Sequence, residues 1–184
     1  MNKIKSLWKL IQIIKDQKFT PPLKYARKLG VTIGEDNFLP DRQCWSSEPY
    51  LITVGNHCQI TMGVRFLTHG GGHVLRDKIS DFDTFGKIKI GNWVYIGNNS
   101  LIMPGVTIED HVLIAAGSVV TKSVPSGMVV AGNPARIVCT IEEYYERNKD
   151  YNMGTKGVPH NKKKQILLTT DDEKFVRKPS MKTI

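Results

Sequence analysis

The chain has 184 residues and an ordinary hydrophobic share of 40%, enough for one domain with a sizeable core. Its net charge of +9 is uneven: residues 1–30 carry eight Lys or Arg against one Asp, whereas residues 31–138 carry eight basic against nine acidic side chains. No run approaches roughly 18 apolar residues, the three scattered cysteines (Cys44, Cys58, Cys139) form neither a disulfide framework nor a thiolate metal site, and no C2H2 spacing or RNP-like strand points to nucleic acid.

Ile4, Leu7, Trp8, Leu10, Ile11 and Ile14 recur at helical spacing, so residues 3–16 are expected to form an amphipathic helix. Lys9 and Lys15 interrupt its apolar run, which does not read as a secretion signal, and a cytoplasmic location is expected. Such a basic helix suits the surface of an anionic membrane, here the inner face of the cell membrane. It equally suits packing on the body of the protein or on a neighbouring subunit, the reading preferred here. Pro21-Pro22 then opens a second helix over LKYARKL, which Gly30 can stop. Residues 1–30 are thus a helical N-terminal segment.

From residue 31 the pattern changes. Val54, Ile60 and Phe66 stand six apart, and after residue 89 the same phase resumes at Ile90, Ile96, Ile102, Ile108, Ile114 and Val120. A second set, Val94, Ser100, Val106, Val112, Ser118 and Val124, follows four residues behind. A period of six does not fit a plain amphipathic helix, whose apolar stripe returns every three to four residues. It fits a coil of three short edges, with branched side chains stacked inside a triangular prism and Gly, Asn or Asp at the bends. Such stacking gives each backbone N–H and C=O a partner in the next coil. Each cysteine is expected to be a small buried hydrophobe.

Residues 68–87, THGGGHVLRDKISDFDTFGK, cannot continue the hexads and read as a projecting loop. Rigid coils on either side would hold its base, a suitable place for chemistry. His57 and His111 fall at hexad corners and read as structural; Trp93 and Tyr95 flank a buried valine and should face outward. After the last coil, IVCTIEEYYERNKDY reads as a short helix across the open coil end, protecting unpaired edges. In residues 151–184, QILLTT and KFVRK could add short strands or stay partly mobile.

The repeated [LIV]-G-x4 pattern of residues 31–138 resembles the hexapeptide-repeat proteins, whose fold is an all-β, left-handed parallel β-helix; the handedness is implied by the resemblance alone. GVRFLTHGGGH, IGNWVYIG, IMPGVTI, AAGSVVTKSVP and VVAGNPARIV further resemble the coenzyme A-dependent O-acetyltransferases, in the branch that modifies sugars and surface polysaccharides. That resemblance implies a homotrimer with an acyl-CoA groove between subunits, acetyl-CoA as co-substrate, no metal, and a loop histidine as general base. By that match the base is His69. Relatives often carry an acidic residue directly after this histidine, where this chain has Gly70; orientation would then fall to Asp77, Asp81, Asp83 or a backbone carbonyl. His73 could bind the acceptor, replace His69 or cap the loop. The resemblance also implies a coenzyme A site at Ala115, Ala116, Gly117 and Ser118, which permit close approach of a pantetheine arm. Lys122 and Arg136 are candidates for its phosphates, and the Asn133-Pro134 turn for guiding the groove.

The expected activity is transfer of an acetyl group to a hydroxyl of a sugar or polysaccharide precursor. Three alternatives stand beside it: N-acetylation of an amino sugar, a zinc site of the carbonic-anhydrase-like branch using His69, His73 and a histidine across a trimer interface, and a non-catalytic scaffold.

Overall fold

The computed structural model describes residues 20–180 except Cys44. The helix expected at 3–16 and the burial expected of Cys44 therefore lie outside the described residues. The chain divides into two compact units, Met1–Ile141 and Glu142–Ile184.

The first described element of the first unit is helix α1 (Pro22–Leu29). Pro22 occupies the first turn, where its missing N–H costs nothing, and Gly30 ends the helix in the left-handed conformation at φ 106°. The Arg27 guanidinium ties the helix to the first coil, donating to the Ile33 carbonyl at 3.2 Å and to Glu35 Oε1 at 2.8 Å.

The strands are β1 (Thr32–Ile33), β2 (Ile52–Val54), β3 (Gln59–Ile60), β4 (Arg65–Phe66), β5 (Ile88–Ile90), β6 (Tyr95–Ile96), β7 (Leu101–Ile102), β8 (Thr107–Ile108), β9 (Leu113–Ile114), β10 (Val119–Val120), β11 (Met128–Gly132) and β12 (Ala135–Thr140). They form three sheets, ordered β1-β2-β5-β8, β3-β6-β9-β11-β12 and β4-β7-β10. From β2 to β10 the chain visits the three sheets in strict rotation, every pairing parallel. Among the described strands, β11 and β12 pair antiparallel, as the closing hairpin.

The register explains the sequence period. Ile90 pairs with Ile108 and Ile96 with Ile114, eighteen residues and three hexads apart. Ile60, Ile96, Ile102, Ile108 and Ile114 are fully buried, and the second set (Val94, Ser100, Val106, Val112, Ser118, Val124) is buried as well. Each such aliphatic side chain contributes on the order of 1.5–3 kcal/mol by leaving water. The serines fit because their hydroxyls are satisfied: Ser100 Oγ donates to the Gly97 carbonyl at 2.8 Å, and Ser118 Oγ to that of Ala115 at 2.6 Å. Cys58 is buried as expected, whereas Cys139 is only half-buried, because it sits on β12, where no coil covers it in a sheet.

One corner carries a polar ladder. Asn92 Oδ1 accepts from the Asn56 backbone N–H at 2.9 Å, and Asp110 Oδ1 accepts from that of Asn92 at 2.6 Å. These bonds, led by the Asn92 backbone N–H, hold the Asp110 carboxyl below its usual range. Outside the ladder His57, Trp93 and His111 stack with ring centroids 4.4 and 6.3 Å apart, all three at positive φ. The corner histidines thus have a packing role, and Trp93 and Tyr95 face outward as expected.

The second unit contains helix α2, whose first residue closes the first unit (Ile141–Asn148), and helix α3 (His160–Leu168). Two expectations are corrected here. Ile137 to Thr140 are strand, paired back onto β11, and the helix begins only after them. QILLTT contributes to α3 rather than to a strand: it continues a run of good helix formers that opens after Pro159, and the Thr169 and Thr170 hydroxyls bond back to carbonyls of the last turn.

Ile96→Ala should cost about 2–5 kcal/mol of stability, read from the denaturant midpoint, because the fully enclosed site cannot collapse around the cavity. Since the folded Asp110 pKa is depressed, its contribution is complete above the ordinary Asp value near 3.9 and lost as pH falls through the folded value. The stability gap between wild type and Asp110→Ala should therefore be full at neutral pH and close on acidification.

Candidate active site

The projecting loop leaves the coil without disturbing its register. Val54 pairs with Ile90, 36 positions on, whereas Ile90 in turn pairs with Ile108, only 18 on. One coil's length of chain is thus extruded, and the next coil stacks as though nothing intervened. The neck is closed by an antiparallel bridge between His69 and Phe85 and by the Gly86 N–H donating to the Thr68 carbonyl at 2.7 Å. A side chain on Gly86 would collide with the backbone nitrogen of Gly105 in the coil beyond, so glycine is required where the loop rejoins.

His69 stands at this neck. Its Nδ1 lies 2.7 Å from Glu48 Oε2. The same carboxylate oxygen accepts the Thr68 hydroxyl at 2.7 Å, and Thr68 Oγ1 is 2.8 Å from Ser46 Oγ. Thr68 is fully buried, the Glu48 side chain is 16% exposed and that of His69 38%. The network is therefore rooted in the core and opens to solvent at the imidazole. The Thr68 hydroxyl, and then His69, hold the Glu48 carboxyl below its usual range against the opposing effect of burial. An ionised carboxylate only accepts, so the proton between them resides on His69 Nδ1 and Nε2 keeps a basic lone pair. This arrangement can take a proton from a neighbouring hydroxyl while the carboxylate supports the imidazolium that forms.

Glu48 was missed in the sequence, which left the group beside His69 open among Asp77, Asp81, Asp83 and a backbone carbonyl; the group within hydrogen-bond reach of Nδ1 is Glu48. Those three aspartates lie exposed in the loop, where Asp83 Oδ1 accepts from the Thr84 N–H. Glu48 comes from the segment before β2, ahead of the short turn Pro49–Leu51, 21 residues upstream of His69. The only hint was the polar Ser46-Ser47-Glu48 run directly before an apolar edge. His73 is exposed, in the one-turn helix Gly72–Leu75.

The remaining candidates sort onto two corners. Leu67 donates to the Ile102 carbonyl and Met103 to that of Val120, so Thr68, Pro104 and Lys122 occupy equivalent places in successive coils. Lys122 is therefore at the corner that carries His69. There, with Arg136, it lines a cleft of about 300 Å³ whose walls include Val120, Pro125 and Ile137. Ala115, Ala116, Gly117 and Ser118 occupy the other edge of β10, at the preceding corner. Ala116 and Gly117 are exposed, whereas the Ser118 side chain is buried and braces its turn, so it lines no groove. Asn133 and Pro134 form the exposed turn between β11 and β12. Among the described residues, no group of three or more His, Cys, Asp or Glu could hold a metal ion.

Comparison with known proteins agrees with the architecture. Residues 87–122 match the profile described as bacterial transferase hexapeptide (six repeats). Protein CapG of Staphylococcus aureus is 51% identical over 148 residues, spanning 77% of this chain and 84% of the relative. The galactoside O-acetyltransferase of Escherichia coli K12 is 37% identical over 133 residues; the match takes in 71% of this chain but only 63% of that enzyme. A solved galactoside acetyltransferase in complex with coenzyme A superposes with a TM-score of 0.52 at 25% identity, covering 76% of this chain and 82% of that one.

Because the Thr68 hydroxyl is the largest influence lowering the Glu48 pKa, Thr68→Val should raise the midpoint of the Glu48 carboxyl toward its ordinary value near 4.3. A carbon-13 carboxyl titration reads it directly, and an unmoved midpoint would remove Thr68 from the network.

Proposed function

The chain belongs to the bacterial hexapeptide-repeat acetyltransferases, and on that premise we propose that it moves the acetyl group of acetyl-CoA to a hydroxyl of a sugar or surface-polysaccharide precursor, with His69 as the general base. The observation that carries this reading is the 2.7 Å contact between His69 Nδ1 and Glu48, which leaves Nε2 free to accept a proton. The galactoside named in the E. coli relative, and the coenzyme A in the solved one, supply the acceptor and donor classes.

In this mechanism Nε2 takes the acceptor's hydroxyl proton as that oxygen attacks the thioester carbonyl. Negative charge develops on the carbonyl oxygen, where a backbone N–H would stabilise it. When the tetrahedral intermediate collapses, the C–S bond breaks and the imidazolium returns the proton to the departing thiolate. Acetyl ester and coenzyme A are the products, with no net proton change. Glu48 fixes the tautomer before the reaction and balances the imidazolium during it.

The rotation of β2 to β10 through three sheets supports the β-helix of this family, and its left hand comes from the family resemblance. Lys122 and Arg136 would meet the donor's phosphates in their cleft, and Ala116 and Gly117 would let a pantetheine arm approach the backbone. These two groups stand on opposite edges of β10, which supports a donor groove completed by a neighbouring copy in a homotrimer. Among the described residues no helix is long and apolar enough to cross a membrane, in keeping with the proposed cytoplasmic setting.

His69→Ala should lower kcat by about 10²–10⁴-fold, and Glu48→Gln by a factor at the lower end of that range, with acetyl-CoA affinity by calorimetry nearly unchanged in both. Undiminished turnover by His69→Ala would remove the base assignment. Lys122→Ala with Arg136→Ala should instead weaken acetyl-CoA binding about tenfold or more, through loss of charged phosphate contacts. The acetylated product should be hydrolysed by mild base as an ester, whereas an amide would survive and identify an amino group as the acceptor.

A further inference from the structure

Ser46 stands out among the residues beneath His69, because its backbone lies in the left-handed region at φ 62°. His57, Trp93 and His111 share that conformation, but their N–H groups bond to the preceding coil at one corner, so the coil geometry accounts for them. Ser46 belongs instead to the irregular stretch between β1 and β2. A residue with a β-carbon takes up this conformation at a cost, and here the contacts of its hydroxyl offset it.

Those contacts fix where each proton lies. Ser46 Oγ accepts the Thr68 backbone N–H at 3.2 Å and lies 2.8 Å from Thr68 Oγ1, which is itself 2.7 Å from Glu48 Oε2. Thr68 has one hydroxyl proton for two neighbouring oxygens. The Glu48 carboxylate can only accept, so that proton goes to Glu48, and the 2.8 Å contact requires the Ser46 hydroxyl to donate to Thr68 Oγ1. The bonds therefore run in one direction, from the Thr68 N–H through the Ser46 and Thr68 hydroxyls to Glu48. There His69 Nδ1 meets the same carboxylate oxygen at 2.7 Å. Hydrogen bonds in such a series strengthen one another, and Thr68, at its centre, is fully buried. Trp45 adds a packing contact, stacked on Phe66 with ring centroids 4.8 Å apart. The pairs Trp45–Phe66, Ser46–Thr68 and Glu48–His69 follow one another in step, so the stretch that carries Glu48 is laid along the strand end that carries His69.

We propose that Ser46 is a positioning residue for the His69–Glu48 pair: its hydroxyl aims the Thr68 proton at Glu48 and so holds that carboxylate against His69 Nδ1. The proposal rests on the reading of His69 as the base, since it concerns which imidazole nitrogen stays free.

Nuclear magnetic resonance of the full-length protein tests it with no acceptor present, so the result does not depend on observing acetyl transfer. Ser46→Gly removes the hydroxyl and adopts the left-handed backbone freely, whereas Ser46→Ala removes the hydroxyl and keeps the backbone cost. In both variants the nitrogen-15 shifts of the His69 imidazole should show the ratio of Nε2–H to Nδ1–H rising about three- to tenfold, as expected when one supporting hydrogen bond is lost. The Glu48 carboxyl midpoint should also rise in both, by less than in Thr68→Val, since the Thr68 and Ser47 hydroxyls still reach it. Added to Thr68→Val, Ser46→Gly should move neither reading further, because Ser46 acts through Thr68. Wild-type spectra in Ser46→Gly, with stability lost only in Ser46→Ala, would reduce Ser46 to a backbone role and overturn the proposal. Full additivity with Thr68→Val would overturn it too, by placing the action of Ser46 elsewhere. Retained turnover by His69→Ala would remove the base while leaving the Ser46 spectra as expected, which separates failure of the functional reading from failure of the positioning role.

Discussion

The hydrogen bond from one coil to the next is the constraint on which the rest of this structure depends. A two-residue strand such as Tyr95–Ile96 has no stability alone; it exists because Tyr95 donates to the Val112 carbonyl and Gly97 to that of Ile114 in the coil beyond. The bonds fix an eighteen-residue turn, and that turn brings one isoleucine above the next. Burial of the column then reinforces the register, because slipping by one residue would point Tyr95 inward and Ile96 to solvent. Hydrogen bonding and apolar burial impose the same period, which is why the pattern is so regular.

That regularity allows a loop to be placed without distorting the scaffold. The extruded segment begins at Thr68 and rejoins at Gly86, and these two residues are hydrogen-bonded to each other. His69 therefore projects from a closed neck whose position is set by rigid coils on both sides. Thr68 is fixed in the core and offers its hydroxyl to Glu48, and Glu48 in turn holds His69. The imidazole thus sits at the hydrogen-bonded neck, outside the exposed glycine-rich stretch of the loop.

The corners do different work. One carries the Asn56–Asn92–Asp110 ladder with a stack of His57, Trp93 and His111 outside it, and it serves stability. Another carries His69 and, in a later coil, the basic cleft of Lys122 and Arg136. The third exposes Ala116 and Gly117. A prism whose corners differ this way can meet a ligand on two of them only by spanning a face or by sharing it with a neighbour.

The sequence by itself determined the period, the inward residues, the glycine stop of α1 and the extruded loop. Each of these follows from local spacing or from the chemistry of one residue type, so each leaves a mark in the linear chain. Tertiary structure alone decided the partner of His69: Glu48 lies 21 residues upstream in an irregular segment and meets the histidine only once β2 and β4 have closed a coil, whereas the nearby Asp77, Asp81 and Asp83 are carried outward with the loop. The same is true of Ser118, in phase with the valines and buried by the turn it braces, and of Cys139, left half-buried on the closing hairpin. QILLTT became helix because its neighbours and Pro159 outweighed the β propensity of a short apolar run. Periodicity records which way a side chain faces; which group it meets there depends on contacts that cross whole coils, and those are fixed only when the coils stack.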